Sequence, residues 1–236
     1  MVKLSNRLLA VASFVTDGNV LADVGTDHGY IPIYLLQEKR IPRAVAMDIN
    51  AGPLQRAKEH IDAYGLQDYI ETRLSDGVAA LAPGEVDTVL VAGMGGGLVM
   101  HILEEGKEVC MQAKELVLQP QSELERVRAY LWLNGYVILQ ENMVLEDEKF
   151  YPMMRVAYQN VIDMESAESL LFCRYGKHLL EQKHAVLKEY LEREEKLYAG
   201  ILENLSQTAV SEKKRERMTE VEEVLQLNCK AMEYFV

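Results

Sequence analysis

The stretch V-L-A-D-V-G-T-D-H-G-Y, residues 20–30, places the tightest limit on how this chain can fold. A short apolar run ends at Asp23, and Gly25 and Gly29 then bracket three polar residues. An apolar run of this length, closed by a glycine turn and followed by a helix-like segment, is typical of a buried parallel strand entering its first helix. Glycine adopts backbone angles closed to other residues and lets a ligand approach the main chain. Because ligands of open α/β sheets bind beyond the carboxyl ends of the strands, the pattern predicts a cofactor-binding loop.

The charges of this loop bear on the kind of cofactor. A dinucleotide loop has the spacing G-x-G-x-x-G, which lets backbone amides meet a pyrophosphate at a helix start. Here only Gly25-x-x-x-Gly29 is present, and the carboxylates of Asp23 and Asp27 would repel a pyrophosphate. They suit a ligand with a cationic end, such as the amino group and sulfonium of S-adenosylmethionine. A tight turn in an α/β protein without an adenosyl ligand is the alternative, because short glycine motifs are weak signals.

Composition limits the class of protein. The 236 residues are 49% hydrophobic and 26% charged, which predicts one large globular domain, or one domain with an appendage. No apolar run approaches the roughly 18 residues that suggest a membrane span, and residues 1–14 do not follow a signal-peptide pattern, so we expect a cytoplasmic protein that is a monomer. Three cysteines without a C-x-x-C pair indicate neither a disulfide framework nor a metal site. The net charge of −12 argues against strong nonspecific nucleic-acid binding, although a local basic face remains possible.

Strands and helices alternate along the first 160 residues. The predicted strands are the run ending at Asp23, then 44–48, 70–74, 88–92, 116–119, 136–144 and 150–158. Helices are predicted over 5–15, from Pro32, over 51–64 and 97–105, and up to Asn134 after a capping box at Ser122-x-x-Glu125. This alternation predicts a doubly wound sheet with helices on both faces, and the last two strands resemble the antiparallel edge of the Rossmann-like class I methyltransferase fold.

From about Arg174 the sequence changes to amphipathic stripes. The first stripe consists of Leu180, Leu187, Leu191, Tyr198, Ile201 and Leu205, and the second of Met218, Val221, Leu225 and Met232. A polar break at residues 206–211 separates them, which predicts an antiparallel, coiled-coil-like helical hairpin. We therefore expect a methyltransferase-like domain over residues 1–160 and a helical hairpin over 161–236.

Acidic residues follow two further predicted strands. Asp48, with Ile49 and Asn50 beside it, is suited to accept hydrogen bonds from ribose hydroxyls. Asp76 is suited to accept from the exocyclic amine of an adenine, with Gly77 leaving room for the ring. The alternative for each aspartate is a turn residue that caps backbone amides. The order of the strand ends favours a shared crevice.

The fourth strand ends in Gly93-Met94-Gly95, where amino-group methyltransferases carry a D/N-P-P-[YF] motif that is missing here. A glycine-rich turn lets a flat base approach the main chain. A ring nitrogen with its own lone pair needs no proton removed before it attacks a methyl group, so catalysis would rest on proximity and orientation. The alternative is a glycine turn required only for close packing of a helix on a strand.

Five features together resemble one family over essentially the whole chain. They are L-S-N-R-L at residues 4–8, A-D-V-G-T-D-H-G-Y at 22–30, A-G-M-G-G at 92–96, L-Q-P at 118–120 and the C-terminal hairpin. These features resemble the bacterial tRNA adenine-22 N1-methyltransferase family (TrmK type). The resemblance implies S-adenosyl-L-methionine as methyl donor and N1 of an adenine in tRNA as acceptor.

The resemblance also implies roles for individual residues. The donor site would comprise Arg7, Asp23, Gly25, Asp27, His28, Tyr30, Asp48, Ile49, Asn50, Asp76, Gly77 and Gly93. The acceptor pocket would be bordered by Gly93, Met94, Gly95, Gln119 and Pro120. The residue after L-Q-P is Gln121, where the family commonly has asparagine. Two other readings stay open: a methyltransferase acting on a small molecule or a protein, and a non-catalytic adenosyl- or RNA-binding module.

Overall fold

The computed structural model describes residues 2–206 and 212–236, and its centre is a seven-stranded sheet with the order β3-β2-β1-β4-β5-β7-β6. The strands are β1 (Leu21–Val24), β2 (Ala44–Asp48), β3 (Ile70–Leu74), β4 (Thr88–Met94), β5 (Glu115–Pro120), β6 (Tyr136–Glu146) and β7 (Lys149–Tyr158). The first five strands pair in parallel, whereas β7 is antiparallel to both β5 and β6. The predicted doubly wound sheet with an antiparallel edge is confirmed.

Helices cover both faces of the sheet. They are α1 (Asn6–Ser13), α2 (Tyr30–Gln37), α3 (Ala51–Ala63), α4 (Gly96–Glu105), α5 (Lys107–Gln112) and α6 (Leu124–Leu133). Alternation along β4 explains the two layers, because Val89 and Val91 pack with α4, α5 and α6 while Leu90 packs with α1, α2 and α3. The carboxyl ends of β1 and β4 therefore have α1 and α2 on one side of the sheet and α4 on the other.

The predicted capping box at Ser122-x-x-Glu125 is wrong, because these side chains do not cap α6. Glu123 stands at the N-cap of α6 with φ +53°, and its side chain pairs with Arg126 but caps no backbone amide of that helix start. Instead the Ser122 Oγ accepts from the Gly96 N–H at 3.2 Å, and Glu123 Oε2 accepts from the Gly97 N–H at 2.8 Å. The loop after β5 thus satisfies the free amides at the start of α4.

Strands β6 and β7 form a hairpin whose two-residue turn is Asp147-Glu148. Both residues have positive φ, +48° and +62°, as a type I′ turn requires. Such turns usually carry Asn-Gly, so two acidic residues here cost backbone strain. The turn brings the start of β7 towards the carboxyl ends of β4 and β5.

The C-terminal part consists of α7 (Met164–Glu168), α8 (Leu170–Tyr175), α9 (Lys177–Glu181), α10 (Ala185–Ser206), α11 (Glu212–Met232) and a final 3-10 turn (Glu233–Phe235). Asn228, late in α11, donates from Nδ2 to the Leu191 carbonyl early in α10 at 3.0 Å, so the two long helices pack antiparallel as predicted. The first apolar stripe was predicted to begin at Leu180 in a long helix. That start is wrong, because Leu180 lies in α9 and the long helix α10 begins at Ala185. Of the predicted polar break, Ser206 ends α10 and residues 207–211 lie outside the described residues.

A buried ion pair ties this C-terminal part to the sheet. Arg128 of α6 donates from Nε to Glu141 of β6 at 2.8 Å, and both side chains are 1% exposed. Arg128 also donates to the Cys173 carbonyl at 2.7 Å, and Glu141 accepts from the His178 N–H at 3.1 Å. Because a charge left unpaired at this depth is costly, the pair fixes α8 and α9 against the sheet edge.

Candidate active site

A cavity of about 390 Å³ opens at the carboxyl ends of β1 and β4. Its walls are Arg7, Leu8, Asp23, Gly25, Thr26, Asp27, His28, Tyr30, Ile31, Ala92, Gly93 and Gln121. We call this space the loop cavity. It collects most of the predicted residues of the first strand end, together with Arg7 from α1 and Gly93 from β4. The remaining predicted residues lie elsewhere.

The loop after β1 is shaped by Gly25. The N–H groups of Gly25 and Thr26 both donate to the Met47 carbonyl at 2.8 Å, which turns the chain sharply away from the strand. Gly25 has φ +74°, and a Cβ at this position would overlap the methyl group of Met94. The left-handed backbone angle therefore favours glycine here, and any other residue would also displace the end of the Met94 side chain.

Asp23 is a buried carboxylate in the wall of the loop cavity, with 8% of its surface exposed. Burial raises its pKa from 3.8 to about 6, the hydrogen bond from Thr26 Oγ1 at 2.7 Å opposes that rise, and the charge of Asp48 adds to it. Within residues 2–206 and 212–236, Asp23 forms no ion pair. A ligand cation placed beside it would offset the cost of its charge.

Asp27 already has a cationic partner. Arg56 of α3 donates to Asp27 Oδ1 from Nη2 at 2.8 Å and from Nε at 3.1 Å, and His28 Nε2 lies 3.4 Å from Oδ2. Asp27 therefore lines the cavity with its charge partly balanced, unlike Asp23. We did not predict that Arg56 pairs with Asp27.

Three rings stack beside this loop. The ring centroids of His28 and Tyr30 lie 5.1 Å apart, and those of His28 and His60 lie 5.0 Å apart. His28 has φ +70°, and its Nδ1 is buried without a hydrogen-bond partner among the described residues. His60 lies one turn after Arg56 on α3. Because residues at i and i+4 share one face of a helix, this spacing was the sequence signal that the two side chains lie together. The stack holds the imidazole of His28 at the mouth of the cavity.

The end of β2 does not line the loop cavity. Asp48 Oδ1 accepts from the Asn50 N–H at 2.7 Å, which is the turn-capping arrangement weighed as the alternative for this aspartate. That bond involves one of the two carboxylate oxygens. Ile49 is 58% exposed beside it, so an apolar surface lies next to a carboxylate at this strand end.

The end of β3 borders a second cavity of about 220 Å³, lined by Asp76, Gly77, Val78, Ala79, His101, Ile102, Glu105 and Gly106. Gly77 has φ +53°, and a Cβ there would lie 3.2 Å from Ile102. Asp76 and Gly77 at the third strand end line this second cavity, whereas Asp23 and Gly25 at the first strand end line the loop cavity.

Of the five residues predicted to border the acceptor pocket, Gly93 lines the loop cavity, whereas Met94, Gly95, Gln119 and Pro120 are not among its wall residues. The Gln119 side chain is fully buried and accepts from Arg7 Nη1 at 2.9 Å, and Pro120 is also buried. Gln121 lines the cavity in their place, with its N–H donating to the Met94 carbonyl at 2.8 Å. The alternation of β5 turns Gln119 towards α1, so it acts on the cavity through Arg7.

The glycine-rich turn after β4 serves two purposes. Gly93 is exposed at the cavity wall with φ +79°, at a register shift between Ala92 and Met94. A Cβ at Gly96 would overlap the Ser122 carbonyl, so the later glycine allows close packing. The predicted approach of a flat base is therefore open at Gly93, whereas Gly96 fits the packing alternative.

Across residues 2–206 and 212–236, no group of three or more His, Cys, Asp or Glu side chains is arranged to hold a metal ion. Over the same residues, none of the helices has the length and hydropathy needed to cross a bilayer.

Known proteins resemble this chain in sequence and fold. The family described as "Methyltransferase domain" matches residues 4–154. The tRNA (adenine(22)-N(1))-methyltransferase of Bacillus subtilis is 33% identical over 231 residues, which cover 95% of each chain. The crystal structure of the B. subtilis m1A22 tRNA methyltransferase TrmK superposes with a TM-score of 0.86 at 31% identity, covering 98% of this chain and 100% of that one.

A Streptococcus pneumoniae relative, described as a candidate tRNA (m1A22) methyltransferase, was crystallised with S-adenosyl-L-methionine. It superposes with a TM-score of 0.85 at 30% identity, covering 98% of this chain and 100% of that one. The similarity thus extends through the sheet and the C-terminal helices alike. The chain belongs to the TrmK-type tRNA (adenine-22 N1)-methyltransferase family, within the Rossmann-like methyltransferases.

Proposed function

We propose that this protein transfers the methyl group of S-adenosyl-L-methionine to N1 of adenine 22 in tRNA. The observation that carries the proposal is the buried Asp23 carboxylate, which lacks a cationic partner among the described residues and lines a cavity at the end of β1. A ligand with an ammonium and a sulfonium group fits this environment, because either cation offsets the desolvation that raises the pKa of Asp23. When bound, the donor supplies an electrophilic methyl group.

The donor side of the site rests on three strand ends. Gly25 leaves the main chain open to a close approach, and Asp23 holds a cation beside it. The free oxygen of Asp48 is assigned to the ribose, and Asp76 with Gly77 to the adenine, as the family resemblance implies. The exposed side chain of Ile49 supports this assignment, because it offers an apolar contact next to the carboxylate of Asp48.

The acceptor side is assigned to Gly93, Gln121 and Arg7. Adenine N1 carries a lone pair, so the protein has to orient the base and exclude water rather than remove a proton before attack. Arg7 is held in place by Gln119 at 2.9 Å and by the Tyr151 ring, whose centroid lies 5.2 Å from the guanidinium carbon. A guanidinium fixed in this way is suited to hold a phosphate of the tRNA at the cavity mouth.

Labelled donor and unmodified tRNA test the proposal directly. We expect label to enter the tRNA at adenine 22, and a transcript with guanine at position 22 to take up none. Methylation that persists in the guanine-22 transcript would contradict the assignment of the acceptor. Donor binding without transfer would instead indicate the non-catalytic module.

The domain division, oligomeric state and location are also part of the proposal. The sheet ends with β7 at Tyr158, which supports a boundary near residue 160, and limited proteolysis should cut first between residues 159 and 163. We propose a monomer, for which light scattering should give a mass near 26.8 kDa. A cytoplasmic location follows from a tRNA substrate, and cell fractionation checks it.

A further inference from the structure

A groove of about 370 Å³ lies beside the loop cavity and has no role in the function proposed so far. Its walls are Gln121, Glu148, Lys149, Phe150, Tyr151 and Tyr190, and we call it the flanking groove. Its volume lies within the roughly 300–1,000 Å³ of ordinary small-ligand sites. Tyr190 belongs to α10, so the C-terminal helices complete the groove that the β6–β7 hairpin begins.

Three aromatic rings and one lysine are among the six wall residues of this groove, and Arg193 lies behind the Phe150 ring. The Phe150 and Tyr190 rings meet edge to face with centroids 5.1 Å apart, and the Arg193 guanidinium lies 5.1 Å from the Phe150 centroid. Tyr151 presents a third ring, and Lys149 is an exposed cation. Glu148 is the acidic wall residue. Proteins recognise unpaired nucleotides through this combination, with bases stacked on aromatic rings and cations near the backbone.

The flanking groove and the loop cavity share a wall. Gln121 lines both spaces. Arg7 lines the loop cavity, and its guanidinium lies over the Tyr151 ring, which lines the flanking groove. A base that enters the loop cavity remains covalently linked to its neighbours, so the surface beside that cavity must receive one of them.

We propose that the flanking groove binds the nucleotide adjacent to the methylated adenine, with its base stacked on Tyr151. This inference rests on the proposed function and adds a second subsite to it. It also assigns a specificity role to Gln121, whose side-chain amide can hydrogen-bond either base from the shared wall. The hairpin strands β6 and β7 and helix α10 then take part in substrate selection.

A cycle of enzyme and RNA changes tests the inference. The enzymes are the full-length wild type and Tyr151→Leu, and the substrates are intact tRNA and transcripts with an abasic site at position 21 or 23. For the wild type, we expect one of the two abasic sites to lower kcat/KM about 10-fold, the loss of one base–aromatic stack. Tyr151→Leu should have a kcat/KM about 10-fold below the wild type on intact tRNA. Its kcat/KM on that abasic transcript should be less than 2-fold lower again.

The inference would be overturned if Tyr151→Leu and the abasic site lowered kcat/KM independently of each other, or if neither abasic site lowered it. Adenine-22 methylation would stand in both cases. If the wild type fails to methylate intact tRNA, the proposed function falls as well. Folding of Tyr151→Leu is checked by donor affinity, which should match the wild type.

A charge change gives a second, independent readout. Lys149→Ala should raise KM for tRNA several-fold, with kcat and donor affinity unchanged, because an exposed cation contributes to RNA affinity rather than to chemistry. The matched control is Lys39→Ala, an exposed lysine two residues after the end of α2 and not among the residues that line the flanking groove. Equal KM values for the two variants would contradict the placement of RNA in the groove.

Discussion

Two glycine turns face each other across this site, and they do different work. In the loop after β1, Gly25 lines a cavity beside the carboxylate of Asp23, which forms no ion pair within residues 2–206 and 212–236. In the turn after β4, the amides of Gly96 and Gly97 are already bonded to Ser122 and Glu123. The leading amides are bonded within the protein in both turns, so the difference lies in the surroundings: Gly25 lines a cavity beside a carboxylate, whereas Gly96 is packed against the Ser122 carbonyl. We therefore assign ligand binding to the first turn and helix packing to most of the second.

The largest effect should follow from Gly25→Ala. The new methyl group would occupy a left-handed backbone position and overlap Met94, so we expect donor affinity to fall by at least about 100-fold. Calorimetry with S-adenosylmethionine measures it. The matched control is Gly65→Ala, at φ +68° with open space around its Cβ. If both variants bind the donor like the wild type, the first turn is not the donor loop.

Asp23→Asn should separate binding from stability. The carboxylate of Asp23 has its pKa raised from 3.8 to about 6, so its charge destabilises the fold increasingly as pH rises through that interval. Removing the charge should stabilise the protein by about 2–3 kcal/mol at pH 8 and hardly at all below pH 4. Chemical unfolding at the two pH values checks this. If the variant is less stable than the wild type at pH 8, the buried charge of Asp23 does not destabilise the fold.

Asp48→Ala should lower donor affinity by roughly 1.5–3 kcal/mol, the value of hydrogen bonds to a charged group. The measurement is again calorimetric, with Asp68→Ala as an exposed control on the loop before β3. Unchanged affinity would leave Asp48 with its turn-capping bond to Asn50 as its sole function.

The smallest effect is expected in the second turn. Glu123→Ala removes the acceptor of the Gly97 N–H and should cost about 1 kcal/mol of folding stability, as for other helix caps. Donor affinity should stay within 2-fold of the wild type. A large loss of donor binding without a loss of stability would show that the second turn also holds the ligand.

Local signals were enough for much of the fold. The bounds of β2 and β3 follow the sequence because short apolar runs are closed by turn residues on both sides. The capping box failed because Ser122 and Glu123 bond to a helix 26 residues earlier in the chain, a contact that local spacing does not encode. The start of α10 was misplaced because α9 continues the same apolar period through Leu180.

The site was predictable to a similar extent. Asp23, Gly25 and Gly93 line one cavity, as predicted, because glycines and acids at strand ends are local signals and the sheet order brings β1 beside β4. Gln119 was assigned to a pocket wall because sequence does not reveal which side of β5 faces α1. His60 and Arg56 were missed because their roles arise only when α3 packs beside the loop.

The pH dependence of donor binding tests the central claim most directly. If the Asp23 carboxylate holds the donor's cationic end, affinity for S-adenosylmethionine in the wild type should be constant above about pH 7 and weaken steadily below about pH 6, where Asp23 becomes protonated. The Asp23→Asn variant should bind weakly and show no such change. Wild-type affinity that is flat from pH 8 to pH 5, or equal in the two proteins, would contradict the account.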